Sequence, residues 1–125
     1  MHDPKLGLFS GKAKEILNAK ETLHCCYTFI SEETKKEFFE MSRGVSSKDF
    51  FSLSKNEHVK CVQHWMGTGD FFFCHWIAES EDAILDHLID GGEDQFFHTM
   101  CAEMDYYITP TDGNNDIYAK ISYGE

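Results

Sequence analysis

Histidines are the residues of this chain best suited to chemistry. There are seven of them, and five lie in or beside predicted strands: His24, His58, His64, His75 and His98. Imidazole nitrogens bind late first-row divalent metals such as nickel, copper and zinc. A metal site therefore depends on which histidines share one face of a sheet.

His64 and His75 lie on two predicted strands, 58–66 and 71–78, which a short glycine-containing loop joins. If Met66 pairs with Phe71, the two histidines are diagonal neighbours on one face, with their Cα atoms about 7–8 Å apart. Two imidazoles at that spacing can converge on one ion. A slip of one residue would place them on opposite faces, because strand side chains alternate.

His24 is the candidate third ligand, from a predicted strand over 22–30. In the expected topology the first strand lies beside the third, which brings His24 toward His75. The alternative is that each histidine is a half-buried core residue with a satisfied hydrogen bond. Met100 and Met104, which a copper site would favour, are expected to be core residues.

Other chemistry has less support. Cys74 and His75 are adjacent in a strand and point to opposite faces, so they do not form a catalytic pair. Gly67-Thr68-Gly69 precedes no helix, so no nucleotide cofactor is expected. Trp65 and Trp76 either line an apolar pocket or pack in the core and a dimer interface.

The elements that must position the histidines follow the order β-α-β-β-α-β. Ser31 and Ser80 are predicted to cap the two helices, each with acidic residues in its first turn. The last strand is predicted over about 98–109, with a possible edge strand over 117–123. Two such helices cover one face of a four-stranded antiparallel sheet. The predicted fold is therefore α+β and ferredoxin-like, with both helices on one face.

Residues 71–77 carry apolar side chains on both faces of their strand, although the helices can cover only one. This predicts a homodimer that packs sheet to sheet as a dimeric α+β barrel. The rival explanation is that a terminal extension covers the open face. We expect a single domain over 1–125, with an N-terminal extension over about 1–21 and a C-terminal tail over about 110–125. The extension includes an amphipathic segment over 5–20.

Composition restricts the partners. The 125 residues carry a formal net charge of −11, which disfavours nucleic acid and anionic membranes as partners. The longest apolar run contains only Phe71–Cys74 and is far too short to span a bilayer.

The five cysteines are odd in number and form no Cys-x-x-Cys motif, and Met1–Lys5 begins no visible secretory signal. We therefore expect a cytoplasmic protein with reduced thiols.

From Glu57 to Thr109 the chain resembles a family of small dimeric ferredoxin-like proteins that includes a nickel-responsive or nickel-binding domain of unknown function. The resemblance is carried by 58–60, 69–74, 78–84 and Gly91-Gly92. Glu79 stands where the family pattern has proline. The resemblance implies a dimeric α+β barrel and favours metal binding, but it identifies no ligand in this chain.

Three functions are compatible with these residues and the predicted fold. The first is a cytoplasmic homodimer that senses or buffers nickel or another late divalent metal through His64, His75 and His24, without turning over a substrate. The second is a cofactor-independent monooxygenase or isomerase, which requires a partly polar pocket between sheet and helices lined by His64, His75 or Trp65. The third is a structural or partner-binding dimer.

Overall fold

The computed structural model describes residues 21–111, 113 and 116–121. They form an α+β fold with one antiparallel sheet, as predicted. Its strands are β1 (Glu21–Phe29), β2 (Val59–Met66), β3 (Phe71–Ala78) and β4 (Phe97–Glu103), in the order β2-β3-β1-β4. The helices are α1 (Glu32–Ser42), α2 (Ser47–Leu53) and α3 (Glu81–Asp90), and a 3₁₀ turn spans Glu93–Gln95. The amphipathic segment over 5–20 lies outside the described residues.

The helices begin where local signals place them. The Ser31 hydroxyl accepts a hydrogen bond from the Thr34 backbone, and the Thr34 hydroxyl accepts one in return from the Ser31 backbone N–H. Ser80 caps α3 through the backbone N–H of Ala83. Ser46 caps α2, an additional helix beyond the two predicted, through the backbone N–H of Asp49. Each cap satisfies backbone donors that the first turn of a helix leaves without partners.

One face of the sheet packs against all three helices. Phe38 of α1 and Ile84 and Leu88 of α3 are buried in this core, and Phe50 of α2 packs against it. At its centre the Trp76 indole N–H donates a 2.6 Å hydrogen bond to the Tyr27 hydroxyl. We call this side the helix face and the other side the open face.

A β-bulge at Val62 overturns the predicted register of the β2–β3 hairpin near its turn. Cys61 pairs with Trp76, in line with the prediction, but the next pair is Gln63 with His75. Val62 is therefore the extra residue, and every later pair is shifted by one position. As a result Met66 pairs with Phe72 instead of with Phe71.

The C-terminal part of the sheet also differs from the prediction. β4 ends at Glu103, and Met100, expected in the core, is 73% exposed. Beyond β4, Tyr106 and Lys120 form a single antiparallel bridge. An edge strand was expected over 117–123. Among the described residues of that range, Lys120 forms an isolated bridge instead of a strand.

Cys25 and Cys101 are directly opposed on β1 and β4 and are joined by a disulfide. This differs from the expectation that all five thiols are reduced. Cys26, Cys61 and Cys74 are free. The sequence showed no sign of the pairing because 76 positions separate the two cysteines and only the β1–β4 register brings them together.

Candidate functional site

His24 and His75 are the pair of predicted ligands that the fold brings together. They are direct cross-strand partners on β1 and β3, and their ring centroids are 4.8 Å apart in an edge-to-face arrangement. Both rings lie on the open face. Because β1 and β3 are the two inner strands, the pair lies near the middle of that face.

Aromatic rings surround the pair. Trp65 contacts His75 with ring centroids 4.9 Å apart, and Phe73 stacks on His24 at 5.2 Å. Phe71 continues the row at 5.6 Å from Phe73. We call these five residues the open-face ring cluster. Two of its members remain well exposed, Phe71 at 53% and Trp65 at 47%.

His75 has a buried ring nitrogen, Nδ1, with no hydrogen-bond partner among the described residues. Burial, together with the neighbouring charge of His24, lowers the pKa of His75 to about 4. The ring is therefore neutral near pH 7 and keeps a lone pair that a metal ion or a donor can use.

His64 is separated from this pair by the thickness of the sheet. The bulge at Val62 pairs His64 with Cys74, the neighbour of His75, and adjacent strand residues point to opposite faces. On the helix face, His64 Nδ1 lies 3.1 Å from Cys74 Sγ, and Phe50 lies against the ring at 4.6 Å. The predicted convergence of His64 and His75 on one ion is therefore wrong, whereas the approach of His24 to His75 is confirmed.

The contact with Cys74 orients the His64 ring. Burial raises the pKa of the Cys74 thiol, so the thiol keeps its proton and can donate to Nδ1. With Nδ1 accepting, a neutral imidazole carries its remaining proton on Nε2. In the other tautomer Nδ1–H donates to the sulfur instead, so the contact orients the ring in both cases.

A cavity of about 460 Å³ opens beside His64 between the sheet and the helices. Apolar side chains form most of its wall: Phe38, Phe39, Met41, Val45, Phe50, Leu53 and Met66. Its polar lining residues are Ser42, Ser54, His64 and Glu93. Burial raises the pKa of the Glu93 carboxyl. An apolar cavity of this size with a few polar groups is typical of small-molecule sites.

His58 forms a separate polar site near the start of β2. Its Nδ1 forms a short contact with the Glu79 carboxylate, and its Nε2 lies 3.3 Å from the Glu57 carboxylate. The hydrogen bond with Glu79 is the main reason that the pKa of His58 is raised. Because His58 is exposed, we interpret this cluster as a surface ion pair.

Two features of the site were missed in the sequence. In a regular strand every second residue faces the core. Cys61 and Val62 are apolar neighbours that break this alternation in β2, and the break is the sign of a bulge in the sequence. Glu93 follows two glycines and was not among the predicted site residues. Its position beside the cavity depends on how the 3₁₀ turn packs.

The described residues contain no group of three or more histidine, cysteine, aspartate or glutamate side chains arranged to hold a metal ion. A metal bound by His24 and His75 would therefore need ligands from elsewhere. In the same part of the chain, no helix combines the length and the apolar content needed to cross a bilayer.

Fold and site together define a small α+β protein with a histidine pair on the open face of its sheet and a cavity beneath its helices. No protein-family model matches the chain, and neither a curated protein nor a solved structure is significantly similar to it. The resemblance to the nickel-binding family stays a prediction.

Proposed function

We propose that this protein is a homodimer that binds a late first-row divalent metal, with nickel as the leading candidate, through His24 and His75. The observation that supports this most directly is their cross-strand pairing with ring centroids 4.8 Å apart. The free, buried Nδ1 of His75 adds a donor atom without a competing partner among the described residues. Such a site stores or senses metal and turns over no substrate.

A second copy of the chain completes this site. Two imidazoles leave a late divalent metal short of its usual four or more ligands. A twofold axis near the middle of the open face would bring His24 and His75 of both copies together, because isologous interfaces repeat the same patch. The exposed rings of Phe71 and Trp65 would then be buried around the metal. This arrangement is the ferredoxin-like, dimeric α+β barrel that the sequence predicts.

The test follows the thermal stability of the metal-free protein as nickel, copper or zinc is added. A metal at 100 times its Kd should add about 2.7 kcal/mol of stability. The double variant His24→Ala, His75→Ala should lose this gain. Native mass spectrometry should show one metal for two chains.

Two matched variants keep the test specific. His64→Ala removes the histidine on the helix face, and His98→Ala removes an exposed histidine on the open side of β4. Both should keep the metal-induced gain. A gain that survives in the double variant, or that disappears in His64→Ala alone, would contradict the proposal.

The second candidate function is small-molecule binding or cofactor-independent catalysis in the cavity. The observation that favours it is that His64 lines a space between sheet and helices. This function requires one of His64, His75 or Trp65 to line the pocket. His64 does so, whereas His75 and Trp65 lie on the open face. The test is an NMR titration of the protein with small apolar compounds. Binding in the cavity should change the chemical shifts of His64 and leave those of His75 unchanged.

We also propose a cytoplasmic location, as the composition predicts. Disulfides are rare in that compartment, so the Cys25–Cys101 bond makes the proposal testable. Acid quenching of intact cells, followed by alkylation of the unfolded protein, should label all five cysteines. Labelling of three would indicate that the protein resides in an oxidising compartment.

A further inference from the structure

We infer that the cavity beside His64 binds a small hydrophobic amine, with its apolar body among the phenylalanines and its ammonium group against Glu93. This inference rests on the second candidate function, the use of the cavity as a binding site. It goes beyond that function by naming the chemical class of the ligand.

The walls of the cavity favour an apolar or aromatic body. Phe38 and Phe39 contribute from α1, Phe50 from α2 and Met66 from β2. An aromatic ring buried among such side chains gains both from the removal of its surface from water and from ring packing. Very polar ligands would lose their hydration here without replacement.

Glu93 selects the charge of the ligand. Glu93 lines the cavity and is half-buried, and no ion pair among the described residues involves it. A carboxylate in such surroundings is stabilised when a cation arrives with its own hydrogen-bond donors. An ammonium group supplies both.

The rest of the cavity agrees with a cation. Among the described lining residues there is neither lysine nor arginine. The faces of nearby phenylalanines attract an ammonium group through their ring quadrupoles. The formal net charge of −11 concentrates cations around the whole protein and repels anionic ligands.

The test compares three probes of one shape: 2-phenylethylamine, 2-phenylethanol and phenylacetate. Binding is measured by calorimetry and by amide chemical shifts around the cavity. We expect the amine to bind about tenfold more tightly than the alcohol, which is what one charge-assisted hydrogen bond typically adds. Phenylacetate should bind most weakly.

Two variants assign the preference to one carboxylate. Glu93→Gln keeps the shape of the side chain and should reduce the affinity for the amine to that of the alcohol. Asp94→Asn removes the same charge from the adjacent residue, which is exposed and does not line the cavity. It should leave the preference for the amine intact.

Several outcomes would overturn the inference, and they are distinguishable. Equal affinities for amine and alcohol would leave the cavity as a binding site but refute its selection of amines. A preference that survives in Glu93→Gln would place the cation elsewhere. Absence of binding by all three probes would refute both the amine ligand and the small-molecule function.

Discussion

Two buried polar groups distinguish the faces of this sheet at the scale of single residues. On the helix face, the buried indole N–H of Trp76 is satisfied because it donates to the Tyr27 hydroxyl. On the open face, Nδ1 of His75 is buried with no partner in the described part of the chain. A satisfied pair specifies a core, whereas an unsatisfied buried nitrogen costs stability unless a ligand uses it. Of these two buried groups, the His75 nitrogen is therefore the one that would gain from a ligand.

The Tyr27–Trp76 hydrogen bond gives a stability prediction. Tyr27→Phe should lower the free energy of unfolding by about 1–3 kcal/mol, because it leaves the buried indole N–H of Trp76 without an acceptor. Urea unfolding monitored by circular dichroism measures the loss. In a Trp76→Phe background the same Tyr27→Phe change should cost less, because the donor is already absent. Equal costs in both backgrounds would contradict the coupling.

His58 gives a pH prediction. Its folded-state pKa is raised above the ordinary 6.5, mainly by Glu79. The ion pair therefore stabilises the fold below pH 6.5, and this contribution is lost as the pH rises through the raised pKa. An NMR titration of the imidazole should give a midpoint above 6.5. Glu79→Gln should lower that midpoint more than Glu57→Gln does, and the reverse order would be inconsistent with the geometry.

At the scale of elements, a single extra residue controls which histidines meet. The bulge at Val62 leaves the far end of the hairpin in its expected register and shifts the pairs near the turn. His64 therefore moves from the open face to the helix face, where it lines the cavity. One irregularity in β2 thus separates a candidate metal site from a candidate small-molecule site.

The disulfide between β1 and β4 gives a prediction at the same scale. Because 76 positions separate Cys25 and Cys101, the loop-entropy model attributes about 4.5 kcal/mol of stability to the bond. Reductant should lower the unfolding midpoint of the oxidised protein, and thiol titration should then rise from three to five. In the variant Cys25→Ala, Cys101→Ala, reductant should have no effect. A reductant-dependent shift in that variant would point to another cause.

At the scale of the whole molecule, the apolar side chains that remain exposed determine the expected assembly. Phe71, Trp65 and Met100 expose roughly half or more of their surface on the open side of the sheet. Exposed apolar side chains on one side of a sheet mark an interaction surface, although Thr22 and Ile77 on the same side are buried. The formal net charge of −11 opposes association of two copies, so burial of these apolar side chains must outweigh that repulsion.

The assembly prediction uses two apolar residues of similar exposure. Phe71 is 53% exposed on the open face and Ile89 is 56% exposed on α3. Phe71→Glu should convert a dimer to a monomer in sedimentation equilibrium, since it places like charges across the interface. Ile89→Glu should leave the dimer intact. A monomeric parent protein, or dissociation only in Ile89→Glu, would contradict a sheet-to-sheet dimer.

Most of the element boundaries, and the α+β class, follow from the amino-acid sequence by itself. Ser31 and Ser80 cap their helices through backbone groups only three residues away, so the signal is local and independent of the rest of the fold. The short strands 58–66 and 71–78 could likewise be predicted within about one residue of their observed bounds.

Only the tertiary structure decided the register near the hairpin turn, the pairing of Cys25 with Cys101 and the position of Glu93 beside the cavity. Each of these depends on contacts between residues distant in the sequence or on one inserted residue. Local patterns cannot fix them, because a slip of one position reverses every side chain in a strand. The candidate ligands were therefore recognisable by type, but the fold selected His24 and His75 as partners and placed His64 on the opposite side.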